Sequence, residues 1–141
     1  MGTTALTRVY DGGEYVVGMR RNHDGNLSWH GFELAAFLTG REVVAGISDP
    51  LSANFNGTAC LAAWLFGYFK DGIGEFYVDV PASRSMSVDC TFDYIYDLTV
   101  KNMSIYVRVT SGEKELFSGT QAGYIAWIHD MNESDIWVDA V

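Results

Sequence analysis

The chain has 141 residues, with nine Lys and Arg against eighteen Asp and Glu and a formal charge of −9. That balance excludes general affinity for a phosphate backbone, which needs clustered cations, and fits a soluble acidic domain or one that meets a basic partner. With 48% apolar and 14% aromatic residues, the chain is globular, and its length suits one domain, 1–141, that buries about two-thirds of its unfolded surface.

"TALTRVY" alternates and predicts a strand at 4–10. "DGG" at 11–13 predicts a hairpin turn, because these residues reach positive φ cheaply. "EYVVGMRR" returns as a strand at 14–21, and a loop covers 22–31. "FELAAFLT" at 32–39 reads as a short helix stopped by Gly40. The stretch 41–56 is irregular, with "SDP" and "NFNG" as turn signals. "GTACLAAWLFGYFK" at 57–70 is a helix with a small face (Cys60, Ala63, Gly67) and a bulky one (Leu61, Trp64, Leu65, Tyr68, Phe69). "DGIG" at 71–74 ends it. Alternation then predicts strands at 75–80, 89–100, 104–110 and 113–119. A helix is expected at 120–131, with Thr120 as its N-cap. The acidic tail 131–141 carries Ile136, Trp137 and Val138 as a docking segment.

The expected order is β-β-α-α-β-β-β-β-α. This is an α+β domain, with a mostly antiparallel sheet and three helices on one face. Cys60 and Cys90 lack CxxC or metal spacing and read as reduced core residues of a cytoplasmic protein. The N-terminus lacks the pattern of a signal peptide, and no apolar run is long enough for a membrane span.

Residues 20–38, "RRNHDGNLSWHGFELAAFL", hold the candidate chemistry. His23, Asp24 and His30 are metal-ligand types, but a seven-residue step through a turn is not a specific metal spacing. Neither a metal nor a cofactor is expected. His30 with Asp24 or Glu33 has the groups of a proton carrier, with Ser28, Thr58 and Cys60 as nucleophile types outside any recognisable elbow. "HGFE" and "NGTA" are glycine-containing helix starts, whose free N–H groups bind anions. Arg20 and Arg21 lie just upstream, and Trp29 offers a stacking face. The expected ligand-binding set is therefore Arg20, Arg21, His23, Asp24, Trp29 and His30, with Asn56, Gly57 and Thr58 as a second anion site. The structural alternative is local: Asp24 in an Asx-turn, His30 and the glycines as caps, and Arg20 paired with an acid.

The chain resembles a family of small phage and prophage proteins of no established activity. The likeness rests on "MGTTALTRVYDGG", "RRNHDGNLSWHGFELAAFL", "NGTACLAAWLFGYFKDGIGEFY" and "ELFSGTQAGYIAWI", which follow in the same order over most of the chain. "DGNL" stands where the family has Asp-Gly-Tyr-Pro, Trp29 where it has Gly, and Thr4 where it has Arg. The resemblance implies the order of elements and a phage or prophage origin. The expected function is a cytoplasmic binding protein acting against host defence, either sequestering a small anionic, nucleotide-like signal or blocking a host protein. It would act without direct nucleic-acid or membrane binding. A small hydrolase using His30 and Asp24 is one alternative. An assembly role, with helix 57–70 at an interface between copies, is the other.

Overall fold

The computed structural model describes residues 2–79 and 92–132. β1 (Ala5–Asp11) and β2 (Glu14–Arg21) form the first hairpin, and Gly12 takes a φ of +62° at its turn. A π-helical turn (Leu27–Gly31) then runs straight into α1 (Phe32–Leu38). Two short strands, β3 (Val43–Val44) and β4 (Phe55–Asn56), pair in parallel before α2 (Gly57–Phe69). β5 (Phe76–Asp79), β6 (Tyr94–Lys101), β7 (Ser104–Ser111) and β8 (Lys114–Thr120) follow, and α3 (Gln121–Asn132) closes the described chain.

Among the described residues, six strands form the main sheet in the order β5-β2-β1-β6-β7-β8. Every neighbouring pair is antiparallel except β1 with β6, which run parallel at the centre. Among the described residues, the helical segments other than α3 lie between those two strands in sequence. Strand alternation sends Ala5 and Val9, Tyr96 and Leu98, and Val107 and Val109 to one face. The helices cover that face with Leu34, Phe37 and Leu38 of α1, Leu61 and Leu65 of α2, and Tyr124 and Ile128 of α3, all fully buried.

The α+β class, the mostly antiparallel sheet and the three helices agree with the sequence reading. Three details differ. The loop expected at 22–31 is helical from Leu27, so the helix starts before Phe32. The stretch at 41–56 contains the β3–β4 pair. The strand read from residue 89 begins at Tyr94 among the described residues. Residues 89–91 with Cys90, Val80, and the tail with Ile136, Trp137 and Val138 lie outside the described residues. Thr120 closes β8 and accepts a hydrogen bond on Oγ1 from the Gly123 N–H at 3.0 Å, which makes it the N-cap of α3. Gly40 stops α1 with a φ of +76°.

Candidate functional site

The segment from Arg21 to Glu33 is pinned from both sides. Asp24 has a φ of +60°, a conformation that Asp tolerates better than most residues. Gly25 is needed for another reason. A Cβ there would sit 2.6 Å from the Thr4 carbonyl carbon, and the Gly25 N–H donates to Thr3 O at 2.9 Å. Two buried tyrosines then fix the turn: Tyr96 Oη donates to Gly25 O at 2.8 Å and Tyr124 Oη to Gly31 O at 2.7 Å. The π-helical turn between these anchors aims His30 into the core and leaves Trp29 half exposed.

His30 is fully buried, packed against the rings of Phe69 and Tyr96. Its Nδ1 lies 3.1 Å from Arg21 Nη1 and its Nε2 lies 2.8 Å from Thr7 Oγ1. A guanidinium only donates, so Nδ1 accepts and the neutral imidazole carries its proton on Nε2, which donates to Thr7. Burial, helped by the Arg21 charge, holds the His30 pKa down at about 3. The ring therefore stays neutral at physiological pH, with both nitrogens engaged. Its backbone N–H reaches Asp24 O at 3.1 Å, whereas its side chain bonds to Thr7 and Arg21.

Arg21 is the hub. Its Nη1 also donates to Glu33 Oε1 at 2.6 Å, its Nε donates to Glu75 Oε2 at 3.0 Å, and its guanidinium lies over the Phe76 ring. The side chain is only 6% exposed, so its charge is spent inside the protein. Above it opens a cleft of about 380 Å³ lined by Arg21, Glu33, Tyr68, Asp71 and Glu75. Three carboxylates against one guanidinium leave a local excess of two negative charges.

The expected ligand set is thus divided. Arg21 and His30 meet. Arg20, one residue away on β2, points to the opposite face of the sheet, because side chains alternate along a strand. There its guanidinium lies over Tyr77 at 5.3 Å. His23 and Asp24 are exposed on the loop, with His23 against the Gly2 backbone. Asn56, Gly57 and Thr58 do start α2, but Thr58 Oγ1 donates to Asp11 Oδ1 at 3.1 Å and Asn56 Oδ1 accepts from the Gly46 N–H at 2.8 Å. The positive end of that helix already faces a carboxylate of the chain itself. Among the described residues, no group of three or more His, Cys, Asp or Glu could hold a metal ion. No described helix is long and apolar enough to cross a membrane.

Sequence reasoning missed three contributors. Thr7 was findable, as a polar residue in phase with Ala5 and Val9. Glu75 reaches Arg21 only through the β2–β5 pairing, across 54 positions of sequence. Arg41 follows the Gly40 stop, and its guanidinium carbon lies 4.8 to 5.9 Å from the rings of Trp64, Phe37, Phe55 and Tyr68.

Those last contacts hold up the outer face of α2. Cys60, Ala63, Trp64, Gly67 and Tyr68 share one helical face and floor a shallow apolar depression of about 570 Å³. The small and bulky faces read from the sequence are thus not separate, because Trp64 and Tyr68 fall at helical spacing from Cys60, and Cys60 is partly exposed on this face and not a core residue. Cys60 and Trp64 also border a depression walled by Ile47 and Asp49, and Tyr68 also borders the acidic cleft. The three adjoin along α2, a 13-residue helix, sharing Cys60 and Trp64 on one side and Tyr68 on the other, and together they are called the α2 groove. Compared with family models, curated proteins and solved structures, the chain matches none.

Proposed function

We propose that this chain is a binding protein without chemistry of its own, which acts against host defence by occupying a basic, amphipathic segment of a partner protein. The observation that carries this reading is the α2 groove. It is apolar along its floor and acidic where it opens at Glu33, Asp71 and Glu75. An amphipathic helix or strand lays its apolar residues into such a groove, while its Lys or Arg side chains meet the carboxylates at the end. The chain's −9 charge favours approach of a basic partner. The state of His30 supports binding over hydrolysis: a fully buried ring with a pKa of about 3, whose Nε2 proton is given to Thr7 and whose Nδ1 is taken by Arg21, neither reaches a substrate nor changes protonation near neutrality. The phage-like order of motifs supports the anti-defence setting.

The test uses Ala63→Lys. Ala63 is exposed in mid-groove, so the substitution fills and recharges the groove while leaving the core alone. A fluorescent amphipathic peptide patterned with Leu and Lys is expected to bind the wild type with salt-sensitive affinity, and A63K and Asp71→Asn are expected to weaken it. Expression of the chain is expected to restore plating of a phage on a defence-carrying host, and A63K to lose that effect. Equal binding of a Leu and Glu peptide, or unchanged plating with A63K, overturns the reading. So does an oligomer in ultracentrifugation that A63K dissociates, because the groove would then join copies of this chain. Turnover of an ester or phosphoester that His30→Gln abolishes would return the weight to hydrolysis.

A further inference from the structure

The face of the main sheet turned away from the helices carries a second arrangement. Three registers cross it. Tyr10 of β1, Thr99 of β6, Tyr106 of β7 and Thr120 of β8 follow one another across it, each paired with the next. In the next register Arg8, Asp97, Arg108 and Ser118 lie side by side. Lys101 stands two residues beyond Thr99 on the same face. Along β7 the exposed Tyr106 ring therefore lies between Lys101 on one side and Arg108 on the other.

The two inner charges of this face satisfy each other. Arg8 binds Asp97 through two bonds, Nε to Oδ1 at 2.6 Å and Nη2 to Oδ2 at 2.9 Å. The outer cations are freer. Arg108 pairs with Glu115 at 2.8 Å, but both side chains are about half exposed, and such surface pairs contribute little. Lys101 is exposed. Lys101, Asn102, Tyr106, Arg108, Thr99 and Ser118 line an open cavity of about 520 Å³ that contains no carboxylate. In a chain of charge −9, this cavity brings two cations and several hydrogen-bonding side chains together with one aromatic ring and Val107.

We infer that this cavity is a binding site for a free nucleoside phosphate. The planar base would stack on Tyr106, and the phosphate would take charge-assisted hydrogen bonds from Arg108 on one side of the ring, with the Ser118 hydroxyl beside it. Lys101 on the other side, with the Thr99 hydroxyl, would meet the acceptor edge of the base and add to the positive field. Each part of the ligand has a separate reason. A simple anion would leave the Tyr106 face unused, and a neutral aromatic would leave Lys101 without a counter-charge and Arg108 with only its half-exposed pair to Glu115. The cavity is of small-molecule size. Stacking on an aromatic side chain tolerates any base, and a guanidinium suits a phosphate's paired oxygens. Glu115 is the built-in competitor: the phosphate displaces it from Arg108.

The experiment is calorimetry and amide chemical-shift titration of the whole chain with adenosine 5′-monophosphate, uridine 5′-monophosphate, adenosine, ribose 5-phosphate and a ten-residue oligothymidylate. Both mononucleotides are expected to bind, and adenosine and ribose 5-phosphate each to bind about tenfold weaker. Tyr106→Ala is expected to cost about tenfold or more in affinity. Arg108→Ala and Lys101→Ala are expected to weaken binding and flatten its salt dependence, whereas Glu115→Gln tightens it. All four positions are exposed, and a melting curve for each variant shows that the fold is kept. No shift at Tyr106 or Arg108 with about 10 mM nucleotide, well above typical ligand affinities, overturns the inference. Equal binding of ribose 5-phosphate and the mononucleotides overturns it too, leaving only an anion patch. An oligothymidylate that binds more than about tenfold tighter than the mononucleotides replaces a free nucleotide with a strand. The variants that test the α2 groove lie on the other side of the sheet, so the two readings fail separately.

Discussion

Acid should destabilise this protein through His30 before it does so through the carboxylates. The ring titrates near the ordinary imidazole value of 6.5 in the unfolded chain and at about 3 in the fold. The folded pKa is depressed, so the unfolded state binds more protons anywhere between the two values. Stability is then full above about pH 7 and falls as the pH drops through 6.5 towards 3. Between about pH 7.5 and pH 5, the linkage integral for one such group is about 2 kcal/mol. That is a large share of a domain's net stability. The control is His30→Gln, whose amide can accept from Arg21 and donate to Thr7 without titrating. Urea unfolding of both proteins across this pH range gives two stability curves. Carboxylates common to both cancel in the difference, which should shrink or reverse by about 2 kcal/mol as the pH falls. A difference constant to within about 0.5 kcal/mol would refute the placement of a neutral, sealed imidazole at this site.

Three further outcomes follow from single contacts. Arg21→Ala removes a buried guanidinium from two carboxylates and from His30, and should cost about 3–5 kcal/mol; Arg20→Ala, which loses a ring contact with Tyr77 on the open face, should cost about 1 kcal/mol or less, and calorimetric melting separates the two. Gly25→Ala forces a methyl to within 2.6 Å of backbone at Thr4 and should lose about 1–3 kcal/mol, read as a lower urea midpoint with an unchanged slope. Thr120→Ala deletes the α3 cap at Gly123 and should cost about 1 kcal/mol, with faster amide exchange confined to the first turn of α3.

The parts of the fold that could be read from the sequence are those with a short period. β7 alternates Ile105, Val107 and Val109 with Tyr106, Arg108 and Thr110, and it buries the first set as that pattern requires. What could not be read is long-range or weakly encoded. Nothing local in β1 or β6 announces that they lie parallel and adjacent, 89 residues apart. The π-helical turn at Leu27–Gly31 has no composition of its own, and it exists because Tyr96 and Tyr124 hold the carbonyls at its two ends. The candidate site was half legible for the same reason. Adjacency in sequence made Arg20 and Arg21 look like a pair, yet the period of the strand that carries them sets them on opposite faces. The network that Arg21 does join depends on Glu75, brought in by an edge strand.

Gly67 brings the question of function back to a measurable cost. It lies in the interior of α2 on the exposed face, and a Cβ there would meet nothing within 4 Å. A glycine in that position costs a helix about 1 kcal/mol relative to alanine, chiefly through the freedom it has in the unfolded chain. Neither a positive φ nor a crowded neighbour explains it. What the missing side chain does provide is depth in the groove between Trp64 and Tyr68. Gly67→Ala should therefore raise the melting temperature by about 2–4 °C while narrowing the groove by one methyl group. Gly67→Leu should remain at least as stable as the wild type and lose the amphipathic peptide. A Leu variant that is stable and binds the peptide with unchanged affinity would show that the groove is not where a partner docks, and the glycine would then have no structural account.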